Sequence, residues 1–289
     1  MDLERFRVEL TGYCYRMLGS AFEAEDAVQE TFVRAWRSGY DPSRASLRTW
    51  LYRIATNICV DMLRSAQRRA LTTDMTPASN PGTPLGTPAP ESLWVQPIAD
   101  ERALPEDSAV MRESIRLAFI AALQHLPPKQ RAILILRDVL CWQATEVADL
   151  LDTTVASVTS ALQRARATLP ASEGDALRPE DPEQRDLLER YCRAFESHDV
   201  GALVALLHED ATMTMPPFTW WLQGRDDIAA AFATDACEGA RLTPTRSNGS
   251  PAFWQLRDDK RFGLVLVTIR GNKIAGLTTY LTAAAGTLE

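Results

Sequence analysis

The chain has no CxxC pair, no cluster of histidines and no apolar run long enough to span a membrane. Its five cysteines (Cys14, Cys59, Cys141, Cys192, Cys237) and three histidines (His125, His198, His208) are scattered over 289 residues. This spacing argues against a tetrahedral zinc site and against a disulfide framework, and it fits reduced thiols in a reducing compartment. No metal and no cofactor are therefore expected. A membrane helix needs about 20 consecutive apolar residues. The opening MDLERFRVEL is too charged for a secretory signal. A soluble, cytoplasmic protein is the expectation. Internal repeats are also lacking.

Net positive charge is missing overall, at a formal −7, which is unusual for a nucleic-acid binder until it is divided along the chain. Residues 1–70 hold eleven Lys/Arg against nine Asp/Glu, and residues 113–170 hold six against five. The acid is concentrated in residues 71–112, with two against six, and in residues 171–289, with twelve against eighteen. The acidic C-terminal part either shields basic surfaces or aids solubility.

What the chain does have is strong helical periodicity. Ala24, Ala27, Val28, Thr31, Phe32, Ala35 and Trp36 recur on one helical face, with Glu23, Glu25, Asp26, Glu30 and Arg34 opposite. Leu47, Trp50, Leu51, Ile54, Ala55, Ile58 and Met62 form a second stripe after a Gly39–Pro42 break. With a first helix near Leu3–Leu18, residues 1–70 read as a small all-α unit. Residues 71–112 then read as a Pro/Thr-rich linker. The island Leu93-Trp94-Val95 inside it is out of place in a free tether and is a candidate for docking on a domain.

Residues 113–170 return to helix. Leu126–Leu169 predicts a helix-turn-helix, with Asp152-Thr153-Thr154 as the turn and Thr154 as an N-cap. Val155, Val158, Leu162 and Ala165 are expected to hold the second helix inward. Ala156, Ser157, Thr159, Ser160, Gln163 and Arg164 then face outward, where short polar side chains approach base edges. Arg164 and Arg166 are expected to clamp phosphates. A short linker, 171–182, precedes a mixed segment, 183–289. There Arg185–Ser197, Val200–Leu207 and Asp226–Ala233 read as helices. Asp210–Met215 and four later runs read as strands, with Asp258-Asp259-Lys260 and Gly271-Asn272 as turns. Helices followed by a meander predict an α+β domain with helices on one face of a curved sheet.

The blocks AEDAVQETFVRAW (Ala24–Trp36) and SLRTWLYRIATNICVDMLR (Ser46–Arg64), followed by the helix-turn-helix, resemble the extracytoplasmic-function branch of the sigma-70 family. The resemblance implies that residues 1–70 are region 2 and residues 113–170 are region 4. It implies that Asp26, Gln29, Glu30 and Arg34 bind the clamp helices of core RNA polymerase. It implies that the Trp50–Asn57 helix and its preceding loop open and hold the promoter −10 element. The second helix of Leu126–Leu169 would read the −35 element. Tyr52, Arg53, Thr56 and Asn57 lie off the apolar stripe and are the contact candidates, since rings, a cation and an amide suit an unstacked base. Trp50, on the stripe, is expected in the core. Members of the family usually carry more basic residues at the positions of Thr159 and Ala161, which implies weaker duplex binding here and more reliance on core polymerase.

The segment Arg190–Phe232 with the strands after it resembles the cone-shaped SnoaL-like fold related to nuclear transport factor two and ketosteroid isomerase. The resemblance implies an enclosed pocket. His208, Asp210 and Asp226 are the candidate bases, and Met213, Met215, Phe218, Trp220, Trp221 and Trp254 the candidate lining. No constellation tunes any of these carboxylates or the imidazole for proton transfer, so no catalytic residue is assigned. His208 and Asp210 read as the entry to a strand, and Asp226 as a helix start. The leading expectation is a promoter-specificity subunit whose partners are core RNA polymerase and promoter DNA, modulated by its C-terminal domain. An anti-sigma protein or a small ligand is open as the partner of that domain. Two other readings stand beside it: a SnoaL-like cyclase or isomerase with a DNA-binding appendage, and a conventional repressor, which leaves Phe22–Arg69 without a role.

Overall fold

The computed structural model describes residues 2–64, 68–105, 109–169, 182–234 and 238–281. The expected linker at 171–182, apart from Pro182, lies outside the described residues, as does Cys237. Contacts divide the chain into two compact units: Met1–Arg69 with Ile98–Ser172, and Ala70–Pro97 with Glu173–Glu289. Among the described residues the helices are, in chain order, α1 (Arg7–Leu18), α2 (Ala21–Ser38), α3 (Leu47–Met62), α4 (Thr72–Met75), α5 (Asp100–Ala103), α6 (Ala109–Glu113), α7 (Leu117–Leu123), α8 (Pro128–Leu134), α9 (Ala144–Leu150), α10 (Val155–Thr168), α11 (Pro182–Glu196), α12 (Val200–Leu206) and α13 (Arg225–Phe232).

In the first unit the helix boundaries follow local chemistry. Gly19 ends α1 in the left-handed region at φ 70°. Ser20 caps α2 by accepting from the Glu23 amide, and Ser46 caps α3 by accepting from the Thr49 amide. Helix α2 buries Ala24, Ala27, Val28, Thr31 and Ala35, the expected stripe. Trp36 departs from it: the stripe drifts off the core at the last turn, and the ring is 83% exposed. Helix α3 buries Leu51, Ala55 and Ile58 as expected, but also Tyr52 and Thr56. The reason is that α3 packs on α1 and α2 from one side and on α8 and α9 from the other.

Helix α8 opens on Pro128 and runs into a π-helical turn at Ile135–Val139. Its Arg131 is buried and donates to the Met17 carbonyl in α1, to Gln124 Oε1 at 2.8 Å and to the Leu126 carbonyl at 3.2 Å. Burial draws this guanidinium down to about 10, so it remains a cation at neutral pH. Arg16, also buried, is held by the Gly12 and Met111 carbonyls and by Ser114 Oγ. Two cations are thus taken out of water only because neutral acceptors surround them.

The second unit is a six-stranded mixed sheet, β1 (Leu207–Thr214), β2 (Trp221–Gln223), β3 (Arg241–Ser247), β4 (Ser250–Arg257), β5 (Lys260–Arg270) and β6 (Lys273–Leu281). Strand order is β2-β1-β6-β5-β4-β3, with β1 and β6 parallel and the other neighbours antiparallel. Register shifts in β1, β4 and β5 bend the sheet. Helices α11, α12 and α13 cover its concave face, and the core runs through Leu187, Tyr191, Phe195, Leu203, Ile228, Phe232, Phe253, Val265 and Leu277. The fold is α+β, as the order of helices and strands predicts.

The segment expected to be a linker behaves differently over Ala70–Pro97, which packs into the second unit. Ala70 pairs with Trp94 in a parallel bridge, closing a loop on itself. Trp94 and Val95 are buried, the Trp94 ring lies 5.6 Å from the Tyr280 ring, and Tyr280 donates to the Val95 carbonyl at 3.0 Å. Thr76 donates to the Thr219 carbonyl and accepts at its own carbonyl from Trp221 Nε1. The apolar island overrides the composition: six prolines between residues 77 and 97 fix φ in advance, which lowers the entropy lost when the segment docks. Trp94→Ala is expected to destabilise the second unit by about 3 kcal/mol. The check is the urea midpoint followed by near-UV circular dichroism, and an unchanged midpoint would contradict the docking.

Candidate functional site

The helix-turn-helix is built as its sequence demands. Gln143 and Glu146 form a capping box at α9, and Thr154 accepts from the Ser157 amide at 3.1 Å to start α10. Asp152 takes a left-handed φ of 48° in the turn. Val158, Ala161, Leu162 and Ala165 seat α10 inward. Ser157, Thr159, Ser160, Gln163, Arg164 and Arg166 all face solvent. Two details differ from expectation. Val155 is 42% exposed, since it precedes the first turn of packing. Ala161 faces the core, so the lack of a base there removes no surface charge. Arg166 is committed: its guanidinium makes a paired contact with Asp138 at 2.7 and 2.8 Å. These hydrogen bonds hold it above its ordinary range. Arg164 is exposed and makes no such pair among the described residues.

The four residues expected to meet an unstacked base are not brought together. Tyr52 is fully buried, its ring 5.1 Å from both Tyr13 and Trp142. Thr56 is buried and bonds the Tyr13 hydroxyl at 2.7 Å and the Tyr52 carbonyl at 2.6 Å. Arg53 donates to the Asp149 carbonyl on α9 and lies 3.8 Å from Asp152. Asn57 is exposed, whereas Trp50 is half-buried beside Tyr40. This placement has one physical cause: the helix-turn-helix packs on the second face of α3, which the apolar stripe of α3 alone does not disclose. Of the four, only Asn57 is open in this arrangement.

On α2, Asp26, Gln29 and Arg34 are exposed, and Glu30 forms an i,i+4 ion pair with Arg34 at 2.7 Å. Phe22, Val33 and Trp36 are exposed beside them, at 54%, 41% and 83%. Residues 22, 26, 29, 33 and 36 follow helical spacing, so one outward face carries three large apolar side chains. Sequence reading missed this face because spacing placed Trp36 on the same apolar stripe as Ala24 and Ala35.

The second unit encloses a cavity of about 370 Å³. Tyr191 and Phe195 of α11, Ala231 and Phe232 of α13, and residues of β1, β4, β5 and β6 line it. Pro81, Thr83, Pro84 and Leu85 of the docked segment complete the lining. Of the expected pocket residues, Met213, Met215 and Trp220 line it, whereas His208, Asp210, Phe218, Trp221 and Trp254 do not; Phe218 packs against the apolar core instead. The two-residue period of strands explains the split. Met213 and Met215 share a parity, while Asp210 sits on the opposite face and is exposed. His208 accepts from the Asp210 amide at 3.2 Å on the outer side of β1. Trp221 sits beside Trp220 and turns away to bond Thr76. In β4, Phe253, Gln255 and Arg257 alternate with Trp254, whose ring carries Arg261 at 4.4 Å. Gln255 and Arg257 are thus lining residues that sequence reading missed, and the alternation beside Trp254 is the signal that could have found them. Asp226 is exposed in the first turn of α13, a helix start as expected. No carboxylate or imidazole lines the cavity among the described residues. The described residues also hold no group of three or more potential metal ligands, and no described helix is long and apolar enough to cross a membrane.

Comparison with known proteins places these features. A Sigma-70 region 2 model matches residues 3–69, a Sigma-70 region 4 model residues 116–169, and a SnoaL-like domain model residues 188–254. The chain is 44% identical over 263 residues to the ECF RNA polymerase sigma factor SigG of Mycobacterium tuberculosis (strain ATCC 25618 / H37Rv), covering 86% of this chain and 70% of that one. It is 31% identical over 213 residues to SigJ of the same strain, covering 74% and 63%. The crystal structure of Mycobacterium tuberculosis SigJ shares the fold, with a TM-score of 0.61 at 21% identity over 97% of this chain and 95% of that one.

Asp138→Asn is expected to release Arg166 to a phosphate. In fluorescence anisotropy on duplex DNA, the slope of log affinity against log salt should steepen by about 0.9, one added contact. A slope equal to that of the unsubstituted chain would show that Arg166 does not reach the backbone.

Proposed function

The chain belongs to the extracytoplasmic-function RNA polymerase sigma factors, and from that premise we propose how its surfaces divide the work of initiation. The outward face of α2 docks core RNA polymerase, with Phe22, Val33 and Trp36 as apolar anchors and Asp26, Gln29, Glu30 and Arg34 setting register. The outward face of α10 reads the −35 element. Ser157, Thr159, Ser160 and Gln163 meet base edges, and Arg164 meets phosphate. The C-terminal unit modulates initiation and does not catalyse. The observation that carries this reading is the pairing, within one helical unit, of an exposed apolar face on α2 with a capped, solvent-facing α10.

Asn57 and Arg53 receive the melted −10 strand once the helix-turn-helix leaves α3. In the arrangement described, Tyr52 and Thr56 are covered and Arg53 is held by Asp149. Polymerase binding separates the two blocks, and the cost of opening is met by contacts with the enzyme and the promoter. The cavity lining, which holds an arginine and a glutamine but no carboxylate or imidazole among the described residues, favours binding over proton transfer. A separate anti-sigma protein acting on the same blocks is the alternative route of control. The place of action is the cytoplasm, where the polymerase is.

Run-off transcription with core polymerase and the full chain tests the reading; absence of a defined start site on any genomic promoter library would defeat it. Trp36→Ala should weaken core binding by about tenfold or more, as truncated aromatic anchors do. Because the ring is exposed, thermal stability should not change. Normal core affinity in this variant would remove the α2 face from the interface.

A further inference from the structure

Strand β3 ends the strand order of the second unit and is an edge of its sheet. An open edge is a template for another strand. Here that route is blocked twice. The outward Leu242 amide donates to Glu196 Oε1 of α11 at 2.9 Å. Pro244, two residues on and so pointing the same way, has no amide proton. A partner on this side must meet side chains rather than backbone.

Helix α11 and the strands β3 and β4 border a groove of about 490 Å³. It is separate from the cavity: Tyr191 and Phe195 of α11 line the cavity, and the opposite stripe of the same helix lines the groove. Leu242, Ala252 and Phe253 make its strand side apolar. Along α11 its rim carries Arg185, Glu189, Arg193 and Glu196, all exposed and alternating in sign. Helical spacing puts Glu189 within reach of Arg193. Arg193 Nε nevertheless donates to the Glu189 carbonyl at 3.4 Å, and no ion pair joins the two side chains among the described residues.

We propose that this groove takes α11 of a second copy of the chain, antiparallel across a two-fold axis. The order of charges selects that partner. Read backwards, the alternation inverts, so an antiparallel copy sets Glu189 against the partner's Arg193 and, to within one residue, Arg185 against the partner's Glu196. The two-fold axis makes each contact twice. A parallel copy in register sets like charge against like. Leu188 and Cys192, half-buried on the same stripe, supply the apolar contact between the charges. Burial, with Glu196 and Glu189 nearby, pushes the Cys192 thiol up to about 11, so it packs as a neutral group. One helix in one groove falls at the low end of specific interfaces, below about 1,200 Å², so the association is transient and micromolar.

Sedimentation equilibrium of the full chain should show a monomer–dimer equilibrium that weakens as salt rises. Arg193→Glu alone and Glu189→Arg alone each set like charges across the axis and should weaken the dimer by about tenfold or more. An equimolar mixture of the two variants restores opposite charges at both contacts and should recover the affinity as a heterodimer. Both side chains are exposed, so neither change should move the thermal midpoint. A monomer at every concentration overturns the proposal and leaves the groove to a different protein. A dimer that the reversals leave intact, or variants that stay monomeric when mixed, overturns this interface. Neither polymerase nor promoter enters the measurement, so its outcome and that of run-off transcription are independent.

Discussion

The helical unit depends on a buried cation. Arg131 has left water, and the Met17 carbonyl, Gln124 Oε1 and the Leu126 carbonyl replace the hydration of its two terminal nitrogens, while its Nε is buried without a hydrogen-bond partner. One of these acceptors belongs to α1, so the guanidinium joins the helix-turn-helix block to the first three helices. Hydrogen bonds to a charged group contribute about 1.5–3 kcal/mol, more than neutral ones, and a buried charge stripped of partners is heavily penalised. The contact is therefore strong while the acceptors stay in place and intolerant of partial loss. Tyr52, between Tyr13 and Trp142, extends the same junction through aromatic packing.

That junction explains why the chemistry of α3 is mostly out of reach. In the proposed function promoter melting uses the polar side of this helix, and here Tyr52 and Thr56 are buried and Arg53 is held by the Asp149 carbonyl of α9. A helix buried on two sides is stable but silent. On the proposed reading, function depends on exchanging internal contacts for external ones, and the exposed side chains on α2 offer the polymerase a hold that does not require the junction to open first.

Much of this architecture was legible in the sequence. The stripe Ala24–Ala35, the capped α10 and the strands of the second unit follow directly from periodicity and turn chemistry. Three features were not, and a fourth, the cavity lining, was legible only in part. Trp36 fits the apolar stripe by spacing, but spacing alone does not say where the core ends. Tyr52 and Thr56 look outward on a helix with one buried face, and only tertiary packing reveals the second. The lining of the cavity was half legible, because strand parity separates Gln255 from Trp254 and Trp220 from Trp221, and a list of aromatic residues ignores parity. The segment Ala70–Pro97 misled by composition. Proline and threonine mark irregular backbone, which is not the same as unbound backbone.

The docked segment that completes the cavity is anchored through peptide groups at Ser79 and Ala89, whereas its inward surface is made by a few side chains between them. Path and fit are thereby assigned to different atoms. Replacements at Pro81, Thr83 or Pro84 would therefore reshape one wall of the cavity while the sheet beneath stays as it is.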